Sequence, residues 1–343
     1  MNSKITAATL LFMASVQTTF GQEFHANLTT EIETDFHDKN DWVNQLRLDF
    51  SMPLSKHVFI DAATYSVAQT REEGVADDYQ TFSNIYADNM TLALAVAGVR
   101  WETGKTMFFF GVRNVGEDYF TSDVTSLFTN SSCGIYPTIA MSTDPANYPL
   151  AGMGVHYAYT SERWEARASV YNGAGHKHFT GRDNVFRVCP KTDGVFVIAS
   201  ANYNHNDGSQ YFIGGSFYRG KVHPGTPDDS ETDDKRYSHA ALWCSAEQRL
   251  TQTVKLMLQY SGSITHGAAC RSYVGAGAVK AIKKVECGLF TDYALFSYGK
   301  EWATEATAKI HINDKSFLQP ALHFIRTDGD TSFVGLLRFG YGI

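Results

Sequence analysis

Alternation of apolar and polar positions is the dominant signal along this chain. In residues 45–52 (QLRLDFSM), Leu46, Leu48, Phe50 and Met52 share one face, opposite Gln45, Arg47, Asp49 and Ser51. In 253–261, Val254, Leu256, Leu258 and Tyr260 oppose Lys255, Gln259 and Ser261. In 301–313, Trp302, Ala306, Ala308, Ile310 and Ile312 oppose Glu305, Lys309, His311 and Asn313. A period of two is that of a strand, whose successive side chains point to opposite faces. The pattern suits a soluble sandwich, whose outer face meets water, as well as a barrel in lipid, whose inner face does. Short turns alternating with long polar loops favour the barrel, and counting candidates over residues 23–343 gives about sixteen strands at ~20 residues each with its connection, the porin size class. The last segment, 332–343 (SFVGLLRFGYGI), places Phe333, Leu337, Phe339, Tyr341 and Ile343 on one face with Arg338 on the other. So apolar a terminal strand would aggregate as a free edge and fits closure against the first strand.

One stretch breaks the rhythm. Residues 116–149 (GEDYFTSDVTSLFTNSSCGIYPTIAMSTDPANYP) form a long polar insertion between 106–114 (TMFFFGVRN) and 152–160 (GMGVHYAYT), which read as the fifth and sixth strands. Loops of this length are rarely idle. The expected fold is an all-β, transmembrane antiparallel barrel occupying 23–343, with 115–150 folded inward as the third loop to narrow the passage.

Composition narrows the class. Residues 1–22 carry one basic residue, Lys4, an apolar run and small residues near Gly21, the pattern of a secretory signal peptide removed on export. Cleavage after Gly21 or Gln22 leaves no cysteine for a lipid anchor. No later run approaches the ~18 apolar residues of a membrane helix. With 29 basic and 36 acidic residues the net charge is −7, which argues against nucleic acid as a partner. The five cysteines, an odd number, contain no CxxC pair; a Cys133–Cys189 disulfide tethering two loops and five separate thiols both remain open. His176-Lys177-His178 without a nearby carboxylate cluster is a weak metal signal, and the acidic run 227–234 (PDDSETDD) lacks the spacing of an EF-hand. No metal or cofactor is expected. No GxSxG or HExxH motif supports an enzyme built on a barrel.

Several segments in one colinear order are similar to the carbohydrate-selective outer-membrane porins of Gram-negative bacteria. The most specific is Phe120-Thr121-Ser122-Asp123 through Ser126-Leu127-Phe128-Thr129-Asn130-Ser131-Ser132, then Gly134, Pro137 and Asn147-Tyr148-Pro149-Leu150. Ser83-Asn84-Ile85, Val170-Tyr171-Asn172-Gly173, Ala246-Glu247-Gln248-Arg249-Leu250, Tyr273-Val274-Gly275-Ala276-Gly277 and Leu318-Gln319-Pro320 extend the likeness over most of the chain. Five cysteines and a terminal Ile343 depart from it. The resemblance implies a sixteen-stranded barrel in the outer membrane that passes small carbohydrates by diffusion, performs no covalent chemistry, and exists as a monomer or a homo-oligomer.

A sugar presents hydroxyls at its edge and apolar C–H faces, so a selective passage needs charged or amide groups beside an aromatic surface, with binding kept weak. Arg113 ends the strand feeding the insertion, and Glu117 and Asp118 follow, an arrangement that makes a charged constriction or a solvated turn. Within the loop, Tyr119 and Phe120 offer aromatic faces, while Asp123, Asn130 and Ser131 offer hydroxyl partners; Phe120, Leu127 and Phe128 serve equally to pin the loop to the wall. Inward charges Arg47, Asp49, Arg167, Lys255, Lys309 and Arg338 form an expected polar ladder. Arg113→Ala is expected to alter sugar preference with little loss of folding.

Overall fold

The computed structural model describes residues 22–181, 183–221 and 236–343. The segment read as a signal peptide and the acidic run 227–234 therefore lie outside the described residues. Sixteen strands follow one another around a closed barrel: β1 (Glu23–Thr34), β2 (Asn40–Pro53), β3 (Val58–Gln69), β4 (Met90–Thr103), β5 (Thr106–Arg113), β6 (Gly152–Thr160), β7 (Trp164–Asn172), β8 (Val195–Asn204), β9 (Gln210–Gly220), β10 (Tyr237–Arg249), β11 (Val254–Ser263), β12 (Cys270–Ile282), β13 (Val285–Phe296), β14 (Lys300–Asn313), β15 (Ser316–Arg326) and β16 (Thr331–Gly342). Each pairs antiparallel with its sequence neighbours, and β16 closes on β1 with Glu31 opposite Arg338. Ala26 and Ile343 exchange both backbone hydrogen bonds at 3.0 Å, so the last residue completes the seam. Closure leaves no edge, and a soluble sandwich is ruled out as the architecture.

The alternation resolves as inside against outside. Arg47 and Asp49 on β2 face in, lining an interior cavity, while Trp42, in the opposite phase of the same strand, and Leu258 and Tyr260 on β11 lie exposed on the outer surface. An outer band this apolar would be a liability in water and is what hydrocarbon covers in a membrane-spanning barrel. Polar atoms on that face are satisfied within the wall: the Trp42 indole N–H donates to the Thr30 hydroxyl and that of Trp302 to Thr291, both at 2.7 Å. No helix among the described residues is long and apolar enough to cross a membrane.

One end of the barrel carries tight turns, such as 104–105, 283–284 and 314–315, and the other carries the long connections. The second loop (70–89) and the third (114–151) both turn into the lumen. The third contains short 3-10 turns and one helical turn, Pro137–Ala140, and its Val124, Leu127, Phe128, Cys133, Tyr136 and Ile139 join Phe196, Trp243, Tyr273 and Phe290 of the wall in one buried cluster. The third loop is thus seated on β8–β13 through this cluster, and the second loop's Val75 and Phe82 form another with Ala303, Ile325 and Leu336.

Candidate functional site

The third loop is held at its tip by the wall and at its root by arginines. At the tip, Glu305 of β14 accepts from the backbone N–H groups of Thr129 (2.9 and 3.0 Å to its two oxygens) and Asn130 (3.0 Å), and from the Thr129 hydroxyl at 3.1 Å. Asp292 of β13 accepts from the Asn130 side-chain amide at 3.0 Å, and Gln319 of β15 donates to the Leu127 carbonyl at 2.6 Å. Leu127 and Phe128 settle over Gly288, where a Cβ would come within 2.8 Å of the Leu127 Cδ2 and of the Phe128 ring. Full burial of two such side chains contributes about 1.5–3 kcal/mol each. Further along, the Thr138 and Ser261 hydroxyls meet at 2.5 Å and the Cys270 N–H donates to Ser142 at 3.2 Å.

The second loop is laid across that tip. Gln80 donates to Asp292 (2.9 Å) and Glu301 (2.8 Å), the Tyr79 N–H donates to Glu301, and the Asn84 N–H reaches the Thr129 carbonyl at 2.7 Å. Asp78 in this loop accepts from the Phe82 N–H at 2.6 Å. Burial, and then the charge of Glu301, push its carboxyl from the ordinary 3.8 up to about 7. A carboxyl that holds its proton more firmly when the loop is docked favours docking fully at low pH, and that contribution fades as pH rises from near 4 through about 7. Protease nicking within 70–89 should therefore quicken between pH 5 and pH 8 at constant protease activity, and Asp78→Asn should flatten the profile.

At the root, three wall arginines meet carboxylates. Arg47 of β2 grips Glu117 with both Nη atoms, at 2.7 and 2.9 Å, and holds Asp49 through Nε at 2.9 Å. Arg113 of β5 forms a two-pronged pair with Asp118, both bonds 2.6 Å, and lies over the Phe109 ring at 4.8 Å. Arg167 of β7 pairs with Glu165 at 2.5 Å and donates to the Asp118 carbonyl. Bidentate guanidinium–carboxylate pairs fix geometry as well as charge. Arg100 of β4 adds a fourth rung, bound to Asp61 of β3 at 2.6 Å. A cavity of about 200 Å³ opens against this ladder, lined by Arg47, Asp49, Asp61, Arg100, Arg113 and Glu117. His25 also borders a second cavity, about 360 Å³, lined by Asn27, Lys309, His311 and Asn313 toward the tight-turn end.

The sequence-derived residues separate into groups. Arg47, Asp49, Arg113 and Glu117 line the cavity; of the two carboxylates that follow Arg113, it takes Asp118, and Glu117 goes instead to Arg47, 70 residues away. Arg113 is also more embedded than a free luminal donor, since Asp118 is 7% exposed and would be left as a buried unpaired charge without it. The expectation that its removal spares folding is revised accordingly. Asn130 is buried in the loop–wall contact, while Ser131 is half-buried, its hydroxyl donating to the Ser83 carbonyl of the second loop at 3.3 Å. Tyr119 is buried too, its hydroxyl at 2.8 Å from Ser169, whereas Phe120 is half-buried beside Trp243 (5.2 Å) and Tyr136 (5.5 Å). Asp123 is exposed. Lys309 stands over the Phe317 ring at 4.3 Å, Lys255 is half-buried on β11, and Arg338 is spent on Glu31 and on Asn84 at 2.7 Å.

Asp61, Arg100, Glu165 and Trp243 were missed by sequence reasoning. The first three alternate onto inward positions of their strands, a signal present in the chain; Trp243 carries no such mark. All five cysteines are free, which closes the Cys133–Cys189 alternative. The fourth loop (173–194) brings a carboxylate to the histidines, Asp183 lying 3.1 Å from His176 and 3.5 Å from His178, yet among the described residues no group of three or more His, Cys, Asp or Glu side chains is arranged to hold a metal.

No protein-family model and no curated protein sequence matches the chain. Solved structures resemble it across nearly its whole length. The high-pH structure of OprB from Pseudomonas putida shares 14% identity over 98% of this chain and 96% of its own, with a TM-score of 0.78. OmpT of Vibrio cholerae, an outer membrane protein, shares 11% identity over 96% and 99%, TM-score 0.64. A mutant Rh. blastica porin shares 8% over 94% and 100%, TM-score 0.58. At these identities the likeness concerns the fold, a porin-like outer-membrane barrel.

Proposed function

We propose that this chain is an outer-membrane porin of a Gram-negative bacterium, exported by a cleaved signal at 1–22, which passes small neutral carbohydrates by passive diffusion. The observation that carries this reading is the ion-pair ladder at the root of the third loop, where Arg47 and Arg113 hold carboxylates along a water-accessible cavity and Arg167, paired with Glu165, lines a separate recess. Paired charges cancel at a distance, so a passing ion gains little. At contact range they offer alternating donors and acceptors to a solute studded with hydroxyls. Phe120 and Trp243, with Asn202, Arg167 and Glu247 around them, line a recess that supplies an aromatic surface for the C–H faces.

A catalytic reading has one arrangement to offer. The His156 ring lies 2.6 Å from the Ser169 hydroxyl and 3.5 Å from Asp118, a serine–histidine–aspartate set. Ser169 and His156 are 2% and 1% exposed, and Asp118 is committed to Arg113, so no acyl group could reach the hydroxyl. These side chains tie the loop root to β6 and β7.

Liposomes carrying the purified chain test the reading with a panel of equal-sized solutes. Neutral hexoses should equilibrate faster than the corresponding sugar acids and amino sugars. Equal rates for all three would remove the ladder as the selective element.

A further inference from the structure

We infer that Glu33, Asp41 and Gln69 seat a hard divalent cation, of the calcium class, on the inner wall of β1–β3 beneath the second loop. Glu33 is 0% exposed, its carboxyl lies against that of Glu31, and no N–H or hydroxyl donates to either of its oxygens. Asp41, directly opposite it in the β1–β2 ladder, is 2% exposed; its Oδ2 likewise meets none. The Gln69 side-chain carbonyl, one step along on β3 where Gln69 faces Val43, is the next acceptor without a donor, at 9% exposure. Four acceptor oxygens from three adjacent strands therefore share a buried patch.

The Arg338 guanidinium does not relieve it. Arg338 is engaged by Glu31 and by Asn84, and the Ser83 hydroxyl also goes to Glu31, at 2.6 Å. Like charges directly opposite in a sheet repel. Buried charges persist only when paired or bound to metal. Two carboxylates and an amide, with neither sulfur nor imidazole, match the all-oxygen preference of calcium, which completes its shell with water. The set is smaller than a caging cluster of three or more His, Cys, Asp or Glu, so affinity belongs to the weak extracellular range, about 10⁻⁴–10⁻³ M.

The position gives the ion a task. Through Oδ1, Asp41 accepts from the Thr70 N–H (3.0 Å), the Thr70 hydroxyl (2.7 Å) and the Arg71 N–H (3.1 Å), where the second loop begins. The Gln69 N–H donates to Asn89 at 2.7 Å, where that loop ends. An ion between these residues clasps both feet of the loop that overlies the tip of the third. This inference does not depend on what the barrel transports.

The test uses the full chain in detergent, stripped with chelator and titrated with calcium by calorimetry and with terbium by luminescence, the latter sensitised by Tyr86, which shares a hydrogen bond with Gln69. One saturable site at which calcium displaces terbium is expected, together with a higher unfolding temperature on calcium addition. Glu33→Gln and Gln69→Ala should each weaken binding at least tenfold, while changing Asp228, Asp229, Glu231, Asp233 and Asp234 to their amides should leave it intact. Absence of a saturable site in the wild-type chain, binding indifferent to Gln69→Ala, or binding lost with the 228–234 amides would overturn the inference. Gln69→Ala removes no charge and decides the matter should Glu33→Gln fail to fold.

Discussion

Alanine in place of Glu305 is expected to raise single-channel conductance several-fold and to erase discrimination among small solutes. Glu305 is completely buried, and its two oxygens take the N–H groups of Thr129 and Asn130 at the innermost turn of the third loop. Without it those two buried donors lose their acceptor, at about 1–3 kcal/mol each, as long as the loop stays docked. The loop can escape that cost by lifting away, since the lumen beyond it contains water. Leu127 and Phe128 oppose the lift, so the result is a loop that samples displaced positions and a barrel that stays closed. Glu305→Gln, which keeps one acceptor oxygen, should fall between the two. Planar-bilayer recordings of both variants check this, with unchanged strand content by circular dichroism as the control. Wild-type conductance in a folded Glu305→Ala barrel would show that the tip contact does not set the aperture.

Arg47→Ala should convert a nearly unselective pore into a cation-preferring one. Arg47 is the guanidinium bound to both Glu117 and Asp49, so its removal leaves two carboxylates facing the same cavity without it. Uncompensated charge inside a narrow low-dielectric wall acts strongly on passing ions. The reversal potential across a salt gradient should shift toward the potassium value, and the shift should shrink in high salt as screening takes over. Arg47→Lys restores the charge but not the two-pronged grip on Glu117, so it should recover ion selectivity while leaving solute preference altered. A reversal potential unmoved by Arg47→Ala would mean that the current flows elsewhere.

The wall of the barrel was legible in the chain because period two is local. The faces of β2, β11 and β14 can be read from eight to thirteen residues each, and the closing strand from its own aromatic row. The long insertion was legible as an insertion. Its destination was not: whether residue 129 meets β14 or solvent depends on contacts spanning 176 residues, and Glu305 looks in sequence like any inward carboxylate. For the same reason Asn130 and Ser131 read as solute partners although the wall and the second loop claim them. Adjacency in sequence paired Arg113 with both Glu117 and Asp118, whereas the turn at 115–117 sends the first toward Arg47 and the second toward Arg113. The histidines of the fourth loop, apparently without acids, meet Asp183 only through the fold of that loop.

Entry of a neutral hexose into liposomes bearing the wild-type chain tests the central claim, that an aqueous passage runs through this barrel beside the root of its third loop. Swelling that falls steeply as the solute grows from a monosaccharide to an oligosaccharide is the predicted result. Swelling no faster than in protein-free vesicles, from protein shown to be folded and inserted, would contradict it.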